Sequence, residues 1–252
     1  CINSVPNNTT GSILILRAGG FGDLLFLSPS LAELRRRFPR LTITVATHDH
    51  TREALRHPDL RDIQVIHYPV DVTQPHALDR WDIITSAEQI ASSSMTHDAA
   101  AYFAHHLGLI SDEALLSTGL TPRQPRLPVP FSLKPLYAPD PDDVAQAWLA
   151  FPRHDDRPRI GIQTESSVKN RTYPVDLTAD LIKRLIDDGA DVYTFGYPAP
   201  KTGSLPHFYP LQCLPDPPIF TQTCAILATM EAFISPDSAL CHVAGALDIP
   251  TI

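Results

Sequence analysis

The sequence has few cysteines, no long apolar run and little excess of positive charge, and each shortage excludes a class of protein. Four cysteines in 252 residues, without a Cys-x-x-Cys pair, do not form a disulfide framework and favour a reducing compartment, so we expect a cytoplasmic protein. No segment approaches the ~18 consecutive apolar residues of a membrane span, which leaves at most peripheral membrane association. The net charge of -8 argues against nucleic acid as a partner.

Both ends of the chain are unusual. The chain opens on Cys1 without a methionine or a secretion signal, and it stops at Ile252, inside a pattern typical of the opening of a strand. We therefore expect a portion of a longer polypeptide whose second sheet is incomplete.

Short apolar runs alternate with helical periods in the first half of the chain. An apolar run at 13–17 predicts a strand, and leucines at three- and four-residue steps predict a helix that continues to about Phe38. Further elements follow: strands at 41–47, 63–68 and 81–85, and helices at 52–55 and 99–107. Seven prolines at 121–141 then interrupt the alternation and indicate a linker.

The same alternation restarts after this break. It predicts helices at 142–149, 177–188, 220–229 and 238–247, and strands at 159–163, 191–195 and 231–235. Alternation of this kind is typical of a parallel sheet with helices on both faces. We therefore predict an α/β protein with two Rossmann-like, doubly wound domains, residues 1–137 and 138–252, that face a cleft.

A glycine-rich turn follows the first predicted strand. Gly19, Gly20 and Gly22 leave room for a substrate against the backbone, and Asp23 stands where the helix begins, where the helix dipole favours its ionised form. A carboxylate in that place can accept a proton from a hydroxyl group. The alternative is that Asp23 only caps the helix, as aspartate often does.

A second loop, 164–174, also lies between a predicted strand and a predicted helix. It begins at Thr164 and combines several hydroxyls with the cations Lys169 and Arg171. Hydroxyls and cations near a helix start are the groups that bind a pyrophosphate. The alternative is an ordinary solvated loop.

A third loop, 235–242, has the same position relative to its strand and helix. Ser238 can cap the helix, Asp237 precedes it, and the first-turn amides can bind an anion. His242 lies about one turn further along, within reach of the same ligand. A histidine on a helix can equally be a packed residue.

Other functions find weaker support in the residues. Gly20-x-Gly22 with Asp49 is a partial dinucleotide fingerprint of a nicotinamide-dependent oxidoreductase, but Leu25 replaces the third glycine. The His-Asp-His run at 48–50 offers two imidazoles on one strand face, but no third metal ligand has suitable spacing. The Asp-Ser…His pattern invites a hydrolase interpretation, but the sequence has no Gly-x-Ser-x-Gly elbow.

Three segments in this order and at this separation resemble glycosyltransferase family 9, the ADP-heptose:lipopolysaccharide heptosyltransferase-like enzymes of the GT-B superfamily. The segments are ILILRAGGFGDLLFLSPSL at 13–31, IGIQ through RTYP at 160–174, and FISPDSALCHVAGAL at 233–247. The resemblance implies two Rossmann-like domains, with the acceptor on the amino-terminal one and the nucleotide-sugar donor on the carboxy-terminal one.

The resemblance also implies roles for single residues. Asp23 corresponds to the general base that activates the acceptor hydroxyl, in the loop of Gly19, Gly20 and Gly22. The donor-binding positions are Thr164, Lys169, Arg171, Asp237, Ser238 and His242. Arg171 stands where the family has its donor-phosphate lysine, so either Arg171 or Lys169 is expected to bind the phosphates. Ala239 replaces the family's glycine after Asp-Ser.

The function implied is the inverting transfer of a sugar, such as heptose, from a nucleotide diphosphate such as ADP to a glycan or lipopolysaccharide-type acceptor. No cofactor is implied, and without an Asp-x-Asp motif in a plausible place we expect no metal in the reaction. The alternative is a binding or assembly module that keeps the GT-B fold without catalysis, an interpretation that Ala239 and the Arg171 loop favour.

Overall fold

The computed structural model forms two compact units, Cys1–Tyr137 and Ala138–Ile252. It describes residues 9–71, 76–88, 98–116, 118, 129–151, 153–154, 156–166, 171–196, 202 and 205–252. Within these residues, no helix combines the length and the apolar character needed to cross a membrane.

The first unit is built on a parallel sheet of four strands in the order β3-β2-β1-β4. The strands are β1 Gly11–Leu16, β2 Leu41–Thr47, β3 Gln64–His67 and β4 Ile83–Ser86, and the helices are α1 Phe21–Arg37, α2 Ala99–His106 and α3 Asp112–Leu116. Short 3-10 helices occupy Arg52–Leu55 and Pro58–Leu60. Leu24, Leu27, Leu31 and Leu34 of α1 are fully buried, as the leucine spacing predicts.

Helix α1 continues through Pro29, which has no N–H to donate to the carbonyl of Leu25 four residues earlier. The hydroxyl of Ser28 donates to that carbonyl instead, at 2.7 Å. The same hydroxyl accepts the N–H of Leu136 at 2.7 Å, which attaches the end of the unit to the helix.

The second unit repeats the design with a parallel sheet in the order β7-β6-β5-β8. Its strands are β5 Arg159–Gln163, β6 Asp191–Phe195, β7 Phe208–Pro210 and β8 Ala232–Ile234. Its helices are α4 Pro141–Ala150, α5 Val175–Asp187, α6 Phe220–Leu227 and α7 Ala239–Ala246. Ile162, Ile182 and Val192 lie at the centre of a core packed between α5 and the sheet.

Each sheet reverses its strand order at one point, between β1 and β4 in the first unit and between β5 and β8 in the second. In open parallel sheets, ligands bind beyond the carboxyl ends of the strands at such a switch point. The loops that leave β1, β4, β5 and β8 are therefore the places where the fold favours a site.

The predicted α/β class with two parallel sheets is confirmed, and several elements differ in detail. The helix predicted at 52–55 is a single 3-10 turn, and the strand predicted at 81–85 lies at Ile83–Ser86. Strand β7 and helix α3 were not predicted from the sequence. Strand β7 has only three residues and ends on Pro210, so it lacks the alternation that identifies a strand.

Candidate functional site

Asp23 is the third residue of α1 and lies at the carboxyl end of β1. Its Oδ2 accepts the N–H of Gly20, the N-cap residue, at 2.8 Å. Its Oδ1 forms an ion pair with Nη2 of Arg17 at 2.9 Å, and the side chain remains 37% exposed. Asp23 therefore stabilises the helix start, as the capping alternative predicts, and also presents a carboxylate to solvent.

Arg17 is the buried partner of the Asp23 carboxylate. Its guanidinium is 2% exposed, donates through Nη1 to the carbonyls of Ala87 and Glu88 at 3.1 and 3.2 Å, and lies 5.5 Å from the ring centroid of Phe103. These contacts hold the guanidinium in one position. Because the carbonyls of the loop after β4 hold Arg17 in place, Arg17 in turn fixes the orientation of the Asp23 carboxylate.

Gly19 has a specific steric role in this arrangement. A Cβ at Gly19 would lie 2.5 Å from Oδ2 of Asp23 and 2.7 Å from Cζ of Arg17. A Cβ at Gly20 would lie 3.7 Å from the same Asp23 oxygen, which is an ordinary contact. Gly19 thus leaves room for the protein's own ion pair, whereas the expected role of Gly19, Gly20 and Gly22 in admitting a substrate stays a prediction.

Glu88 is a second carboxylate at this switch point, and no motif in the sequence had singled it out. It follows β4, accepts the N–H of Ala18, and lies 3.6 Å from Nη1 of Arg17. Its contact with Arg17 spans 71 positions in the chain, which no local pattern reveals. Its position three residues after the predicted strand at 81–85 was the available signal.

The loops after β5 and β8 bring three predicted residues together in the second unit. Nη1 of Arg171 lies 2.6 Å from Oδ2 of Asp237, and Nε2 of His242 lies 3.3 Å from Oδ1 of Asp237. Arg171 and Asp237 are about half exposed, and His242 is 23% exposed. We call these three residues the Asp237 cluster. It combines one carboxylate with two side chains that can donate to an anion.

Ser238 is the N-cap of α7, as predicted, and its hydroxyl accepts the N–H of Cys241 at 3.3 Å. It also donates to Oε1 of Gln163 at 2.7 Å, which connects the ends of β5 and β8. Burial, with a smaller contribution from Asp237, raises the pKa of Cys241, so this thiol stays protonated at neutral pH. The positive end of the α7 dipole therefore lies beside the Asp237 cluster without a competing thiolate.

Two cavities open at this edge of the second sheet. One has a volume of about 610 Å³ and is lined by Thr164, Arg171, Tyr173 and Ser235 together with apolar side chains. The other has about 290 Å³ and is lined by residues that include Gln163, Phe195, Leu211, Gln212, Ala239 and Leu240. Thr164 and Arg171 thus line one cavity, and their role in donor binding stays a prediction. Lys169 lies outside the described residues.

The predicted alternation of His48 and His50 on one strand face is wrong. Strand β2 ends at Thr47, and both histidines lie in the turn that follows, with ring centroids 5.5 Å apart. Among the side chains that the structure describes, one group of three could hold a metal ion, His154, Asp191 and His207. It lies at the amino end of β6, away from the Asp237 cluster.

The comparisons with known proteins agree with this architecture. Residues 129–252 match the sequence model of glycosyltransferase family 9 (heptosyltransferase). No curated protein sequence matches the chain.

Three solved structures share the fold over most of this chain. A glycosyltransferase of family 9 from Veillonella parvula DSM 2008 aligns with 99% of this chain and 81% of its own at 15% identity and a TM-score of 0.66. The E. coli ADP-heptose lps heptosyltransferase II aligns over 95% and 83% at 19% identity and a TM-score of 0.62. The E. coli heptosyltransferase WaaC, solved with ADP-2-deoxy-2-fluoro heptose, aligns over 95% and 87% at 14% identity and a TM-score of 0.58.

The low identities show the fold, and the family match supports a sugar-transfer function as a glycosyltransferase. The resemblance to glycosyltransferase family 9 is confirmed for residues 129–252, which include the whole second unit and match the family's domain.

Proposed function

We propose that the chain transfers a sugar from a nucleotide diphosphate to a hydroxyl acceptor with inversion at the anomeric carbon. The second unit would bind the donor and the first unit the acceptor. The observation that carries the proposal is the Asp237 cluster, which lies within the segment that matches the family and at the switch point of its sheet. ADP-heptose is the donor we favour, since a related E. coli enzyme was solved with an analogue of it.

The Asp237 cluster suits a diphosphate because its two donors are held in place by a carboxylate. Arg171 and His242 both contact Asp237, and the N-terminus of α7 lies next to them. A diphosphate would replace Asp237 as the acceptor of these hydrogen bonds, and Asp237 would then be available to hydroxyls of the donor. The cations and the helix dipole would stabilise the charge that develops on the leaving diphosphate.

The two cavities offer room for the remainder of the donor. The 290 Å³ cavity has an apolar lining from Phe195, Leu211 and Leu240, and Gln163 and Gln212 also line it. Apolar walls with a few convergent polar groups suit a nucleobase. Ala239 lines the same cavity, so its methyl group takes space that a glycine would leave to the ligand.

Asp23 would act as the general base on the acceptor side. In a single displacement, the acceptor oxygen forms a bond to the anomeric carbon while the bond from that carbon to the diphosphate oxygen breaks. The acceptor's proton passes to Asp23, and the nucleoside diphosphate leaves as an anion. The buried Arg17 would hold Asp23 in the orientation needed for this proton transfer.

We propose that the transfer needs no metal, because Arg171 and His242 can donate hydrogen bonds to the leaving group. We also propose a cytoplasmic location, in keeping with the few cysteines and a nucleotide-diphosphate donor. The second candidate function is a binding module without transfer, which Ala239 favours because its methyl group narrows the 290 Å³ cavity.

Calorimetric titration with ADP tests the donor site. We expect Arg171→Ala to weaken ADP binding roughly 10–100-fold, because a charge-assisted hydrogen bond contributes about 1.5–3 kcal/mol. Arg184→Ala is the matched control, since Arg184 is an exposed arginine in the last turn of α5. Equal losses in both variants would contradict the site, and wild-type protein that binds ADP without turnover would favour the binding module.

A further inference from the structure

The amino edge of the second sheet holds a cluster of ligating side chains that the transfer reaction does not use. Asp191 is the first residue of β6, His207 directly precedes β7, and His154 precedes β5. Because the three strands are parallel, the residues before them meet at one edge of the sheet. The Asp237 cluster lies at the opposite, carboxyl edge.

The three side chains have the spacing of a metal site. Nδ1 of His154 lies 2.9 Å from Oδ2 of Asp191, and Nδ1 of His207 lies 2.8 Å from Oδ1. One ligand atom from each residue lies within 4.8 Å of the others. Tetrahedral Zn²⁺, with bonds of about 2.1 Å, places its ligand atoms about 3.4 Å apart. The two hydrogen-bonded pairs, at 2.9 and 2.8 Å, are shorter than this separation, and all three ligand atoms lie within 4.8 Å of one another, so small shifts of the side chains would admit the ion.

The three side chains of the cluster differ in their exposure to solvent. The Asp191 side chain is fully buried, whereas the imidazoles of His154 and His207 are 49% and 36% exposed. The exposed imidazoles leave an entry path from solvent and room for a water molecule as a fourth ligand. Burial alone would raise the pKa of Asp191, but the hydrogen bonds from His154, His207 and Arg157 outweigh it and hold this pKa below its ordinary value.

Arg157 also holds the Asp191 carboxylate, on the oxygen that His207 contacts. Its Nε donates to Oδ1 of Asp191 at 3.1 Å, and its Nη2 donates to the carbonyls of Ala190 and Ile186 at 2.7 and 3.2 Å. Partners of this kind orient the carboxylate ligands of metal ions. His207 also has a φ of 61°, a conformation uncommon for residues other than glycine, while its imidazole is held against Asp191.

We propose that His154, Asp191 and His207 bind a divalent transition-metal ion, with Zn²⁺ the best match to two imidazoles and one carboxylate. The ion joins the segments that precede β5, β6 and β7, so it stabilises the second unit. It takes no part in sugar transfer, and its binding does not depend on the proposed reaction.

Titration of chelator-treated protein with ZnCl₂ tests this proposal. We expect one Zn²⁺ per chain and a rise in Tm of roughly 5–10 °C at a 100-fold excess over Kd. Co²⁺ in the same site should give the visible absorption of a tetrahedral complex. Wild-type protein that binds no Zn²⁺ at micromolar concentrations, or shows no change in Tm, overturns the proposal.

Two variants show whether Zn²⁺ binds to this site or to other histidines of the chain. His154→Ala and His207→Ala should each weaken Zn²⁺ binding at least 10-fold, and the Tm of each variant without metal shows whether it folds. His67→Ala is the matched control, because His67 also pairs with an aspartate, Asp49, at 3.1 Å. An equal loss of binding in the control, or full binding in both site variants, contradicts the assignment.

Discussion

The closeness of Gly19 to the Arg17–Asp23 ion pair makes a Gly19→Ala variant the sharpest steric test of the acceptor site. The added methyl group would lie 2.5 Å from Oδ2 of Asp23, and ordinary contact begins at 3.4 Å, so the carboxylate must move by about 0.9 Å. Overpacking of this kind costs about 1–3 kcal/mol in the free energy of unfolding. A displacement of about 1 Å at a reacting group costs about 100-fold in rate.

The assay compares the sugar-transfer rate, the ADP affinity and the Tm of Gly19→Ala with those of Gly20→Ala. A methyl group at Gly20 would lie 3.7 Å from the same oxygen, and this position is the N-cap of α1. We therefore expect a change in stability of about 0.5–1 kcal/mol and a smaller loss in rate than in Gly19→Ala. ADP affinity should be unchanged in both variants. Equal transfer rates in Gly19→Ala and Gly20→Ala would refute the claim that the Arg17–Asp23 pair sets the rate.

Two further predictions concern pH and metal. Hydrogen bonds from Arg36, with those from Arg37, outweigh burial and lower the pKa of Glu33, so this carboxylate contributes stability that is present above about pH 4.5 and is lost as the pH falls through its folded-state pKa. Glu33→Gln should therefore have a free energy of unfolding about 1–3 kcal/mol lower than that of wild type at pH 7. Denaturant unfolding at pH 3 should show a smaller difference between the two proteins. A difference that does not change with pH would contradict a stabilising role of the Glu33 carboxylate. Treatment with EDTA should leave the transfer rate unchanged while it lowers the Tm of Zn²⁺-loaded protein, and a transfer rate that falls with EDTA and returns with added metal would contradict metal independence.

Local patterns were sufficient for the elements that bury a regular apolar face. The leucine spacing of α1 predicted its buried side, and the strand–turn–helix patterns placed Asp23 and Ser238 at helix starts, where the structure has them. Strand β7 was missed because three residues ending on Pro210 carry no period.

The partners of the site residues could not be predicted in the same way. Glu88 contacts Arg17 across 71 positions, and His154 contacts Asp191 across 37. Such pairs depend on which strand ends the fold brings together, and that follows from strand order rather than from local sequence. The His48–His50 prediction shows the opposite error, since its geometry depended on β2 continuing past Thr47.

The two proposed sites of the second unit lie at opposite edges of its sheet, because the strands of the sheet are parallel. The carboxyl edge carries the Asp237 cluster and both cavities, so a ligand there meets the positive end of α7. The amino edge carries Asp191 and its two histidines. The ion proposed there would stabilise the strands without reaching the donor. Variants at the carboxyl edge should therefore leave Zn²⁺ binding unchanged, and variants at the amino edge should leave ADP binding unchanged.

Asp23→Asn, with transfer rate and ADP affinity measured on the same protein, tests the central claim most directly. Asparagine keeps the size of the side chain and its hydrogen bond from Gly20, but it cannot take a proton from the acceptor. Loss of a general base should lower the rate of transfer from ADP-heptose about 10²–10⁴-fold with ADP affinity unchanged. Full transfer activity in Asp23→Asn would contradict the account.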